Sequence, residues 1–505
     1  MILNETEYRN KVLGCWMGKN IGGTLGAPFE FMRQINRVSF YTQELDGSPV
    51  PNDDLDIQLL WLIALEEKGI DLNARLLGEY WLHYVTPHWA EYGIAKVNMR
   101  AGLLPPLSGT ANNVFKHSNG AFIRSEIWAC IAPGYPELAA RYAYQDAIID
   151  HGNGEGVYAE VFCAALESAA FVERNIETLI AIGLSYIPED CGVALAIRHV
   201  IQSFRQGLTW EEARDDLLRH HRGKYAVWAG ISLEDEEKGF KDGIPGWDAP
   251  SNLGIVILGL LYGEGDFDKT LCTAVNCGED TDCTAATLGA LFGIMYGLEA
   301  IPKRWITPIG AGIKTACLNL GELGVYGDQL PADIHQLTDR VTVVAKRVIA
   351  GKTSPLILSD EPTQLADMHA ELLYDHEGKF QSIYAGSSGT AFRFDFFEVV
   401  VDYGEEGAVI HAGEPKTIRL IVHNHYKISD ILNIRWYGPD GFNLSPAGTA
   451  KLFSAIYPDT TRDISFEVSL ASPLGTNRFV VELTLDGRNT VMLVPVVLLG
   501  NHRSV

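Results

Sequence analysis

Basic residues are scarce in this chain. Lys and Arg number 40 against 64 Asp and Glu, a net charge of −24 over 505 residues. Nucleic-acid backbones and anionic membrane surfaces both require basic patches, so neither is expected as a partner. The eight cysteines, at 15, 130, 163, 191, 272, 277, 283 and 317, include no C-x-x-C pair with zinc spacing. Most lie inside apolar helical runs and read as reduced, buried thiols of a cytoplasmic protein. The start, MILNETEYRNKVLGC, lacks a basic stretch leading into an apolar one, so no signal peptide is expected. Long apolar runs are also missing. The longest, near Thr284 to Leu298, is short for a bilayer and broken by glycine, and it reads as a core helix. What remains is ordinary globular composition, 47% hydrophobic and 21% charged, in a chain long enough for two or more domains.

The character of the chain changes near residue 355. Before it, helix-type apolar spacing recurs at 5–26, 157–172, 175–187, 190–206, 209–220, 253–261, 267–275 and 334–348. Segments 86–120 and 240–252, rich in Gly, Pro, Asn and aromatics, read as long loops over a site. After residue 391, runs such as TIRLIVHNHY, DISFEVSL and RFVVELTLDG alternate in the manner of half-buried strands. The expected organisation is an all-α domain over 1–355, a polar linker over 356–390, and an antiparallel, Ig-like β-sandwich over 391–505. Trp436, Tyr437 and Phe442 are sheet aromatics before they are sugar-binding candidates.

Two small-residue stripes stand out. Gly14, Gly18, Gly22 and Gly26 recur every four residues, as do Ala285, Gly289, Gly293 and Gly297. Such stripes let two helix backbones approach closely. The two helices are therefore expected to neighbour each other, bringing Glu30 and residues 280–282 toward one cleft.

Chemistry concentrates in two acidic clusters, Asn52-Asp53-Asp54-Leu55-Asp56 and Gly278-Glu279-Asp280-Thr281-Asp282-Cys283, each just ahead of an apolar helical run. For either alone, helix capping suffices, since Asn and Asp cap well and acids suit a helix N-terminus. Two tightly spaced clusters shift the balance toward hard divalent cations, which favour carboxylate oxygens.

These elements resemble the ADP-ribosylglycohydrolase family. Gly18 to Glu30 stands where that family has G-x-x-x-G-D-x-x-G-x-x-x-E. Asn52-Asp53-Asp54-Leu55 stands for T-D-D-T, Ser118 to Arg124 for G-N-G-A-x-M-R, and Gly278 to Cys283 for G-G-D-T-D-T. The order agrees over residues 8 to about 320. The resemblance implies an all-helical glycosidase holding two divalent cations, Mg²⁺ or Mn²⁺. Asp53, Asp54, Asp280 and Asp282 would be the metal ligands, with Asn52 and Cys283 at positions where the family uses threonine. It implies Glu30 facing the scissile bond, with Asp56 as the other candidate for handling water. Asn119, Arg124 and His151 would contact substrate. Trp247, like Trp89 and Tyr92, lies on an aromatic-rich segment that would either stack on a base or sugar or anchor the loop.

Other departures are Leu55 for a second threonine, Glu279 for a glycine, and loss of the aspartate of G-D-x-x-G. The leading expectation is metal-dependent hydrolysis of a glycosidic bond to an ADP-ribosyl or ribosyl-type group in a small molecule or modified side chain. The alternatives are hydrolysis of another glycoside or nucleoside, and a relative that binds ligand without turning it over.

Overall fold

A computed structural model describes the chain except residues 31, 33, 222–246, 319–328, 366–368, 385–388, 427, 458 and 502–505. The gaps take in most of the expected 240–252 loop and residues 366–368 and 385–388 of the expected linker, which lie outside the described residues. What is described forms two compact units, Met1–Gly93 with Asn113–Tyr384, and Ile94–Asn112 with Ala385–Val505.

The first unit is helical. Its principal helices are α1 (Glu5–Gly26), α2 (Asp53–Lys68), α3 (Ala74–Tyr84), α4 (Ala90–Ala101, which crosses into the second unit), α5 (Glu126–Ile131) and α6 (Pro136–Ala147). They continue with α7 (Glu155–Ala170), α8 (Ile176–Ser185), α9 (Gly192–Arg205), α10 (Trp210–His221), α11 (Ala249–Tyr262), α12 (Phe267–Asn276), α13 (Thr281–Tyr296) and α14 (Ile334–Gly351). Each expected helical run has a counterpart, with ends shifted by a few residues. The 86–120 segment differs from expectation, because Ala90–Ala101 is helix. Its Gly93 and flanking aromatics resemble loop sequence, but Ala, Glu, Lys, Met and Arg between them are good helix formers.

The two small-residue stripes meet. α1 and α13 run antiparallel at backbone contact. A Cβ on Gly18 would lie 1.9 Å from the Gly289 carbonyl oxygen, and one on Gly22 would lie 2.1 Å from that of Ala285. Any larger residue would drive the helices apart, so the stripes fix the crossing. At its end, Thr281 Oγ1 donates to the Gly26 carbonyl at 2.8 Å. The C-terminus of α1 is thereby pinned to the N-terminus of α13.

Part of the segment read as a linker is packed in this unit. β1 (Ile2–Asn4) pairs in parallel with β2 (Ile357–Ser359). Phe380 is fully buried, with Tyr144, Tyr186 and Tyr384 against its ring. Isolated aromatics in a polar stretch give no periodicity to read.

The second unit holds two five-stranded sheets around one apolar core. One has the order β3 (Gly389–Arg393), β4 (Phe397–Asp402), β6 (Lys416–Asn424), β10 (Thr461–Ser469), β8 (Asn443–Ser445). The other has β5 (Val409–His411), β12 (Val491–Asn501), β11 (Thr476–Leu485), β7 (Asp430–Tyr437), β9 (Ala450–Ser454). Pairing is antiparallel except between β5 and β12. Strict alternation sends Phe479, Val481, Leu483 and Leu485 of β11 inward. Leu103 and Leu107, from the 94–112 segment, complete this core. Trp436 belongs to the same core and packs on Phe466 and Phe479.

Candidate active site

The α1–α13 pin brings the two ends of the helix pair together, and α2 supplies the third side. Glu30 follows the single turn Ala27–Phe29 after α1. Asp280 N-caps α13 by position, yet its carboxylate makes no capping bond. Asp53 and Asp54 open α2, where Asn52 is the true cap, its Oδ1 accepting from Asp54 N at 2.8 Å. Gly278 and Glu279 both adopt positive φ, +73° and +65°. This left-handed pair turns the chain so that Asp280 and Asp282 face the cleft. Glycine takes that conformation freely; for Glu279 it costs on the order of 1 kcal/mol.

The result is a cavity of about 630 Å³. Its lining includes the acidic and polar Glu30, Asn52, Asp53, Asp280, Asp282 and Cys283, and also Trp89, Tyr92, Phe115, Asn119 and Trp247. Ligand atoms of Glu30, Asp280 and Asp282 lie within 4.8 Å of one another, as do those of Asp54, Asp282 and Cys283. Asp282 is common to both groups.

The carboxylates are poorly satisfied. Both oxygens of Asp54, Oδ1 of Asp280 and Oδ1 of Asp282 are buried and accept no hydrogen bond among the described residues. Tyr92 donates weakly to Asp53 Oδ2 at 3.4 Å, and Asn119 Nδ2 donates to Asp280 Oδ2 at 2.8 Å. The nearby cation Lys19 is bonded to Glu126 Oε1 at 2.7 Å. Burial, then the charge of Asp282, pushes Asp53 up to about 6 and Glu30 up to about 8. Burial pushes Asp54 and Asp280 well above the usual carboxylate range. Burial and the surrounding carboxylates likewise raise the Cys283 thiol. Buried acids this crowded hold protons unless a cation replaces them. An oxygen-rich donor set whose lone pairs accept no hydrogen bond fits hard divalent cations.

The other expected site residues lie elsewhere. Arg124 is fully buried beneath the cavity, with Nε 2.9 Å from Asp146 and Nη2 2.7 Å from Asp150. His151 is also fully buried, with Nδ1 2.9 Å from Asp150 and Nε2 3.2 Å from Ser118 Oγ. Burial works against the Asp150 charge, but Arg124 and His151 hold it at about 2. Neither Arg124 nor His151 lines the cavity; they brace the Ser118–Gly120 loop that does. Asp56 points away too, its Oδ2 accepting from the backbone of Ala316 and Cys317 at 2.6 Å each. Glu91, buried and raised by that burial, lines the cavity and was not anticipated. Its position between Trp89 and Tyr92 was the available signal.

Comparison with known proteins now decides the family. The family model described as ADP-ribosylglycohydrolase matches residues 4–346, two-thirds of the chain. The chain belongs to the ADP-ribosylglycohydrolase family. A solved structure titled "ADP-ribosylglycohydrolase-related protein complex" is 20% identical, covering 67% of this chain and 99% of that one at a TM-score of 0.42. No curated protein matches. Membership makes this a glycohydrolase-family protein with an added strand-rich unit, and it implies an ADP-ribosyl type of small-molecule substrate. No helix among the described residues is long and apolar enough to cross a membrane.

Proposed function

We propose that this ADP-ribosylglycohydrolase relative is a metal-dependent hydrolase of a glycosidic bond to an ADP-ribosyl or ribosyl-type group. The observation that carries this reading is the set of buried, unsatisfied oxygens on Asp280 and Asp282, which line the cavity, and on Asp54, whose carboxylate lies within 4.8 Å of that of Asp282. Such desolvated acceptors cost free energy in a folded protein unless something fills them. Asp53, Asp54, Asp280 and Asp282 would hold two divalent cations, Mg²⁺ or Mn²⁺, with Asp282 shared. Asn52 supports this by capping α2, and its second lone pair remains for a metal. Cys283, whose thiol is held protonated, suits a hard cation poorly. Bound cations would supply charge to fix sugar hydroxyls and polarise water.

The chain's own residues do the rest. Glu30, half-buried and raised to about 8 by burial and the neighbouring aspartates, holds its proton near neutral pH in the metal-free protein; cations on those aspartates would lower it, so that it could take a proton from water. Asn119, held on Asp280, would orient the ribosyl group. Trp89, Phe115 and Trp247 give flat apolar faces against which a base or sugar ring can lie. Asp56 serves the 316–317 backbone, so its role is to position rather than to react.

Turnover of ADP-ribosyl, nucleoside-like and simple glycosyl compounds, with and without Mn²⁺, tests the reading. Metal-dependent release of ribosyl product supports it. Hydrolysis confined to other glycosides favours the second activity. Tight binding with no turnover of any compound would make the protein a binder.

A further inference from the structure

Outside this cavity, among the described residues, one cluster of metal-ligating side chains stands apart from the glycohydrolase machinery. It lies where α9 packs beside α10. Asp216 and His220 are one turn apart on α10, so both project from one face of that helix. His199 comes from α9 to meet them. His199 Nε2 is 2.7 Å from Asp216 Oδ2; His220 Nδ1 donates to the Asp216 backbone carbonyl at 2.8 Å and lies 3.3 Å from Asp216 Oδ1, which leaves Nε2 as the nitrogen of His220 with a lone pair. One ligand atom from each of the three residues lies within 4.8 Å of the others.

A fourth side chain orients the first. His221 Nε2 lies 3.2 Å from His199 Nδ1. A hydrogen bond on one imidazole nitrogen directs the other at the ligand, as seen around many metal-bound histidines. With Nδ1 engaged by His221, His199 Nε2 faces the carboxylate. At 2.7 Å His199 Nε2–H donates to the Asp216 carboxylate, so an ion entering here would replace that proton and move the two ligand atoms slightly apart.

We propose that His199, Asp216 and His220 form a second metal site, selective for a late transition ion of the Zn²⁺ type. Two imidazoles and one carboxylate are a borderline donor set, which Zn²⁺, Ni²⁺ and Cu²⁺ prefer and which Mg²⁺ does not. The principal site, with its carboxylates, is the harder of the two. The side chains are 22%, 29% and 53% exposed, so an ion has access and water can complete its coordination. Arg219, 3.9 Å from Asp216, is the competing cation; it is half exposed and free to swing into solvent. A bound ion would staple α9 to α10.

Zinc uptake by the full-length protein tests this, in millimolar Mg²⁺ to occupy the carboxylate site. The expected result is one Zn²⁺ per chain that is lost in both His199→Gln and His220→Gln, with Mg²⁺ or Mn²⁺ binding unchanged. Crystals of the unaltered protein soaked in zinc should show an anomalous peak among these three residues, which needs no variant to fold. Equal zinc stoichiometry in the unaltered and doubly substituted proteins would overturn the proposal. So would zinc-soaked crystals with no peak there, which would leave the contact as a proton-shared His–Asp pair.

Discussion

The helical unit and the β-sandwich bury different chemistry. In the sandwich strands the buried polar residues are Thr390, Asn424, Ser454 and Asn477, with no charge among the described residues. The helical unit buries Asp54, Asp56, Glu126, Asp146, Asp150, Glu160, Glu167, Asp280 and Asp282, each at most 6% exposed. Some of these are matched, as Arg124 is to Asp146 and Asp150. Those at the cavity are not. A fold maintained only for stability would replace unmatched buried acids by apolar residues at a gain of several kcal/mol. Their clustering at the cavity points to the proposed site, and the sandwich's uncharged interior points to a unit held mainly by packing.

The sharpest test of the contrast is Asp282→Ala. Asp282 belongs to both ligand groups, so its loss should abolish high-affinity Mn²⁺ binding. The expected fall exceeds the roughly 10–100-fold that losing a mere supporting group costs. Calorimetric titration measures it, and a fall under tenfold would show that Asp282 is peripheral. Next in size, Glu30→Gln should lower the hydrolytic rate by roughly 10²–10⁴, far more than it lowers metal affinity, because the main loss is proton handling. An unaffected rate would move that task to a group other than Glu30.

The sandwich predicts the opposite pattern. Leu483 is fully buried between β7 and β12 in the apolar core. Leu483→Ala should cost about 2–5 kcal/mol of stability in that unit and leave Mn²⁺ affinity unchanged. A loss of affinity in a variant that is still folded would break the comparison. A point substitution is preferable to deleting residues from 385 onward. Such a deletion would strip the core that buries Leu103 and Leu107, which belong to the second unit though they precede it in the chain.

Those two leucines show what could and could not be read ahead of the structure. Helices and strands were legible because each repeats apolar residues at its own period, and the α1–α13 contact was legible because glycine every fourth residue has few other uses. Asp53, Asp54, Asp280, Asp282, Glu30 and Asn119 were legible as a group because their motifs are local. Membership of Leu103 and Leu107 in the distant sandwich was not, since four residues between prolines and glycines carry no period. The positions of Arg124 and His151 were equally hidden. A motif names a residue without saying which way it faces, and here Asp146 and Asp150 draw the guanidinium inward. The placement of Asp56 was hidden for the same reason: it shares a helical turn with Asp53 and Asp54, but its Oδ2 bonds the 316–317 backbone.

The smallest expected effect is a dependence on pH, and it follows from the same buried acids. In the metal-free protein Glu30 is raised to about 8 and Asp53 to about 6, by burial and by Asp282. A carboxyl whose folded pKa is raised stabilises the fold fully below its unfolded value and loses that contribution as pH rises through the folded one. The metal-free helical unit should therefore weaken between about pH 5 and pH 8. A cation competes with those protons, so its binding strengthens over the same window, by up to roughly tenfold per pH unit for each proton displaced. The thermal stabilisation given by a fixed Mn²⁺ concentration should be larger at pH 8 than at pH 6, and Glu30→Gln should flatten the upper part of the rise. The sandwich transition, with no buried acid in its strands, should stay level throughout. A metal-induced shift independent of pH would mean that the ions bind where no proton is given up, away from Glu30 and Asp53.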